Sequence, residues 1–134
     1  MDIKAAISEP KTWMIISSVV VVFMLGIGPM MVDSGDLADM AEDEFGEFYT
    51  NASDADKETI EESVEMDAYF FGATNIALAL FILGFAFLTE GTTRSKSAVF
   101  CGVSLILWAI YSQGELDMGA LGFYSAVSAP MIIT

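Results

Sequence analysis

Four carboxylates, Asp54, Asp56, Glu58 and Glu65, stand at the first, third, fifth and twelfth positions of one stretch. That is the spacing at which an EF-hand loop offers oxygen ligands to Ca²⁺. The sixth position, where such a loop turns on glycine, is Thr59. The stretch also has the periodicity of a helix rather than a loop. It is a weak calcium candidate, and an acidic face turned to water accounts for it better.

Other chemistry is scarce. There is no histidine, which removes the usual haem ligand, most zinc and copper sites, and the general base of serine and cysteine nucleophile systems. Cys101 is the single cysteine, so no intrachain disulfide can form, and its apolar neighbours assign it to packing. Nine methionines include Met30, Met31, Met40, Met66 and Met118. Without histidine or a second cysteine beside them they read as adaptable packing, with a methionine-only copper(I) site as the remaining metal option. The expectation is a protein that is not an enzyme and has no cofactor.

The elements that carry these residues are unusually segregated. Residues 33 to 67 hold fourteen of the nineteen acids and one base, Lys57, a net charge of −13 within a total of −14. The rest is almost neutral, and 54% of the 134 residues are hydrophobic. A water-soluble domain of this size needs more polar surface. With only five Lys and Arg in all, a nucleic-acid partner is excluded.

Flanking the acidic block are runs long enough to cross a bilayer. "WMIISSVVVVFMLGIGPMMV", residues 13–32, is uncharged and at ~1.5 Å per residue spans about 30 Å. It is longer than a signal-peptide core and lacks a small-x-small cleavage site, so it is read as retained. Pro29 is expected to kink or stop its helix. Residues 68–89 form the second span, 96–113 the third and 118–134 the fourth, the last having a re-entrant or interfacial alternative. Short links, "EGTTRSK" at 90–96 and "QGELD" at 113–117, suit antiparallel neighbours. The predicted fold is an all-α, single-domain membrane protein over residues 1–134. It is a four-helix up-down bundle with an acidic helical hairpin between the first two spans.

Within the hairpin, Leu37, Met40, Ala41, Phe45 and Phe48 recur at helical spacing, with Asp33, Ser34 or Asp36 as cap. "TNAS" reads as a turn containing a glycosylation sequon at Asn51. Ser53 or Asp54 then caps one long helix, about 54–89, on which Ile60, Val64 and Phe71 share a face.

The basic residues orient the chain. Lys4 and Lys11 precede the first span, and Arg94 and Lys96 lie between the second and third, whereas the opposite side has only Lys57. The positive-inside rule predicts cytoplasmic termini in a plasma or inner membrane, with 33–67 outside.

No Asp, Glu, Lys or Arg lies within the central apolar runs, which argues against proton-coupled or active transport. Asn75, with Thr74 beside it, is the polar group costliest to leave in lipid and is expected to point into the bundle or a partner. Small residues recur four apart at Ala73/Ala77, Ala98/Gly102, Gly122/Ala126 and Ser125/Ala129, a spacing that lets helices approach closely. The function expected is that of a non-catalytic accessory or structural subunit of a larger membrane complex. It would pack through these small-residue faces against other integral subunits, itself or lipid, and present an acidic cap to cations or a cationic partner. The alternative is a cation channel or small-solute carrier with an acidic outer vestibule, which would concentrate cations by its field.

Overall fold

The computed structural model describes residues 8–112 and 118–134. Lys4 and the "QGELD" link fall outside the described residues. All elements are helical, and the described residues include no strand. In chain order they are α1 (Pro10–Val20), a π-helical segment (Val21–Ile27), a 3₁₀ turn (Gly28–Met31), α2 (Ser34–Phe45), α3 (Glu47–Thr50), α4 (Asp54–Leu88), α5 (Gly91–Ser112) and α6 (Met118–Ile133).

Three helices are long and apolar enough to cross a membrane: Pro10–Met31, Asp54–Leu88 and Gly91–Ser112. Only 28, 28 and 33% of their most apolar windows are buried within the chain. Apolar surface left outward on this scale is compatible with a membrane protein and unfavourable in water. The fourth apolar helix, Leu121–Ile133 within α6, is shorter.

The chain divides into two compact units. The first comprises residues 1–20 and 78–134. Here α5 turns a stripe of small and apolar residues inward: Ala98, Cys101, Gly102, Leu105 and Ala109. Gly102 permits close packing on α6, for a Cβ there would meet Ile132 Cγ1 at 2.8 Å and Ser128 O at 3.2 Å. A hydroxyl ties α1 to α6, Ser17 Oγ donating to Val127 O at 2.8 Å. Phe85 on α4 meets Phe100 on α5 edge-on, and the Lys11 ammonium sits over the Phe87 ring, 4.6 Å from its centroid.

The sequence suggests a seven-residue link before the third span, but α5 already starts at Gly91, leaving only Thr89 and Glu90 between helices. Gly91 has φ +53°, which a side chain would disfavour. Arg94 Nε donates to Thr89 O at 2.8 Å and so covers a carbonyl that the end of α4 leaves without a helical donor. Thr, Arg, Ser and Lys continue the helix because they follow this tight turn directly.

The second unit is residues 21–77. Its first segment shows what Pro29 does. The proline lacks the N–H an α-helix would use, and its ring would clash one turn back. The backbone widens to a π-helix before it and tightens to a 3₁₀ turn around it. After that come the cap and helices of the acidic segment. Asp33 is the N-cap of α2, its Oδ1 accepting from Gly35 N at 2.9 Å and Asp36 N at 3.0 Å. The predicted continuous helix through Phe48 breaks at Gly46, where φ 54° and ψ −127° put the backbone in a region open to glycine. At α4 Ser53 and Asp56 form a reciprocal cap: Asp56 N donates to Ser53 Oγ and Ser53 Oγ to Asp56 Oδ2.

Helix α4 runs 35 residues, about 52 Å at ~1.5 Å per residue, much longer than the ~30 Å of a hydrocarbon core. Residues 68–88 supply the apolar part and 54–67 an acidic extension of roughly 20 Å.

Candidate functional site

The acidic segment, residues 33–67, packs around a small core of its own. Leu37 and Ala41 of α2, Tyr49 of α3 and Val64 of α4 are buried together, with Val32, Ala38 and Ile60 packed against them. Burying such side chains contributes ~1.5–3 kcal/mol each for the larger ones and holds α2 and α3 against α4. The Tyr49 hydroxyl donates to Glu61 Oε1, joining α3 to α4. This hydrogen bond, then burial, then the charges of Glu61, Glu42 and Asp39 push the Tyr49 phenol up to about 12. The Lys57 ammonium lies over the face of the same ring at 5.3 Å, so the tyrosine is held at its edge and on its face.

Around that core the surface is acidic but not uniformly polar. Phe45, Phe48, Met40 and Met66 are exposed, Phe48 to 71%. Between α3 with its following turn and the first turns of α4 lies an open groove of about 550 Å³. Phe48, Ala52 and Ile60 give it apolar walls, and Glu47, Asp56, Asn51 and Thr59 a polar lining.

The calcium candidates Asp54, Asp56, Glu58 and Glu65 all lie on the continuous helix α4, not on a loop. Among the described residues no three acidic, cysteine or histidine side chains come together as a metal site. Helical geometry is the reason: Asp54 and Glu58, four apart, share a face, but Asp56 points to another side and Glu65 lies two turns, about 10 Å, beyond Glu58. Asn51, the sequon residue, is exposed, and its Nδ2 donates to Glu47 O at 2.9 Å.

Among the apolar helices Ser17, Ser18, Asn75 and Ser128 are buried, whereas Thr74 is only half-buried. Asn75 is fully buried, and its Nδ2 donates to Phe71 O at 2.9 Å. Thr74 Oγ1 returns to Phe70 O at 2.8 Å, and Ser18 Oγ to Met14 O at 2.7 Å, each on its own helix. Two buried polar atoms, Trp108 Nε1 and Ser128 Oγ, have no partner among the described residues.

The small-residue pairs differ in exposure, with Ser125 and Ala129 half-buried between two extremes. Ala98 and Gly102 are buried, and Gly102 packs on α6. Gly122 and Ala126 are exposed, with nothing within 4 Å of a Cβ built on Gly122, and Ala73 and Ala77 are exposed on α4. Spacing alone does not distinguish these cases.

One close contact escapes the four-apart pattern. A Cβ on Gly72 would stand 2.5 Å from Gly26 O and 2.6 Å from Met30 Cγ. Its signal is the glycine-rich "GIGP" ahead of Pro29 facing a lone glycine in the second apolar run. The sequence matches no known protein family, no curated protein and no solved structure.

Proposed function

We propose that the chain is a non-catalytic subunit of a larger membrane assembly, a four-helix up-down bundle whose α6 is the fourth span. Its small-residue faces serve as docking surfaces and its acidic lid as an outer cap. The observation that carries this reading is the contrast between Gly102, covered by Ile132 and Ser128 of its own chain, and Gly122, where a Cβ would meet nothing within 4 Å, with Ala126 exposed one turn further on. Small residues let helix backbones approach within van der Waals range in lipid, where no hydrophobic force draws helices together. A second outward pair, Ala73 and Ala77, repeats the feature on α4.

In this reading Lys11, Arg94 and Lys96 face the cytoplasm with both termini, in a plasma or inner membrane. The lid, residues 33–67, faces outward, where its fourteen acids meet cations or a cationic partner.

The test is native purification. Extracted in mild non-ionic detergent, the tagged chain should migrate above its own mass with stoichiometric partners or as a homo-oligomer. Gly122→Leu combined with Ala126→Leu should release it, while Gly84→Leu, at another open position on α4, should not. A monodisperse monomer from the parent chain would reject the reading.

A further inference from the structure

The lid groove between α3 and α4 has a composition that selects its occupant. Phe48 projects from α3 into solvent, and Ala52 and Ile60 continue the apolar surface, with Glu47 and Asp56 among the lining residues. A bare cation finds no cage, because the described residues bring no three metal-ligating side chains together. A second copy of the lid brings another net −13 to the same surface and is repelled, as is an anionic headgroup. A simple polycation fits less well, because it leaves the apolar surface of Ala52 and Ile60 uncovered. Charge complementarity and the exposed ring together fit a chain that is both basic and apolar.

We infer that this groove is the docking site for an arginine-rich amphipathic segment of a partner protein. Its apolar side would lie on Phe48, Ala52 and Ile60 and its guanidinium groups against Glu47 and Asp56. Arginine suits the site better than lysine because its planar, weakly hydrated head stacks on an aromatic face and meets a carboxylate in one geometry. Phe48 acts as the anchor and the remaining acids steer the approach. The inference rests on the subunit reading and names the chemistry of one of its partners.

The experiment uses the full chain in neutral-lipid nanodiscs, with empty nanodiscs as blank. The probe is an acetylated arginine–leucine peptide patterned as an amphipathic helix, and an arginine-only peptide of equal charge is the comparison. The arginine–leucine peptide should bind more tightly than the arginine-only one, and less tightly as salt is raised. Phe48→Ser should weaken it about tenfold or more, the loss expected of an aromatic anchor. Glu47→Gln should weaken it measurably, and Glu62→Gln, which removes an equal charge at an exposed position not lining the groove, should leave it nearly unchanged. Because Phe48 is 71% exposed, its replacement leaves the lid core intact, which unchanged amide exchange at Val64 verifies.

Absence of peptide binding to the parent chain overturns the inference, as does equal binding of both peptides or equal effects of Glu47→Gln and Glu62→Gln. A chain that co-purifies with partners yet ignores the peptide removes this inference and keeps the subunit reading. A chain that binds the peptide but purifies as a monomer does the reverse.

Discussion

Gly72 and Gly26 meet backbone to backbone: a side-chain carbon on Gly72 would lie 2.5 Å from the Gly26 carbonyl oxygen. The contact joins α4 to the π-helical segment at the point where Pro29 has loosened the first helix, and it involves atoms that cannot rotate away. Gly72→Ala should therefore destabilise the protein by ~1–3 kcal/mol through overpacking, outweighing the ~1 kcal/mol that alanine gains over glycine in a helix. Gly84→Ala, where a Cβ meets open space, should be neutral or stabilising. Reversible unfolding in mixed micelles compares the two, and equal stabilities would refute the contact.

Ser17 and Ser128 should behave oppositely although both are buried serines. Ser17→Ala removes the hydroxyl that donates to Val127 O across helices, a loss of ~0.6–2 kcal/mol. Ser128→Ala removes a buried hydroxyl without a partner among the described residues and should cost nothing or stabilise slightly. The same unfolding assay decides it; a larger loss at Ser128 would contradict the arrangement.

The lid should weaken in alkali. Its bond to Glu61 and its burial raise the folded Tyr49 phenol from 10.0 to about 12, so the folded lid holds that proton more tightly than the unfolded one. The resulting stabilisation is complete below pH 10 and is lost as pH rises from 10 towards 12. Relative to the base-catalysed exchange of an unfolded chain at the same pH, protection at Val64 in the lid core and at Ile60 packed against it should fall over that interval. Tyr49→Phe should remove this component of the pH dependence and lower protection at neutral pH, since Glu61 loses its donor.

Gly46 should resist substitution more than its exposure suggests. Its φ of 54° with ψ of −127° lies outside the basins of L-residues, so Gly46→Ala should lower lid stability by ~1–3 kcal/mol. Cross-strain within the lid would show as limited proteolysis between α2 and α3 in the variant and not in the parent.

Thiol labelling tests the orientation. Cys101 is buried, so the parent chain should not react with a membrane-impermeant maleimide. Ala52→Cys, in the turn before α4, should react from the outer side in intact cells. Labelling only after the membrane is opened would invert the proposed topology.

Much of this protein is written in the order of its residue types. Long uncharged runs of bilayer length demand helices, because an apolar solvent leaves backbone groups only each other to bond with. Other local signals carry the caps at Asp33 and Ser53, the disturbance at Pro29, and, through the helical periodicity of the acidic stretch ahead of the second apolar run, the 35-residue length of α4. Tertiary structure decided what depends on which faces meet. Small residues four apart read alike in sequence, yet Gly102 is covered and Gly122 open, because burial depends on where a neighbouring helix lies. Helix α5 begins at Gly91 because a left-handed glycine and the Arg94 side chain close the turn after α4. Four carboxylates at calcium spacing form no cage because α4, a helix and not a loop, turns Asp56 aside and sets Glu65 two turns beyond Glu58. Tyr49 becomes the centre of the lid only when α3 folds against α4 and brings Glu61 and Lys57 to one ring.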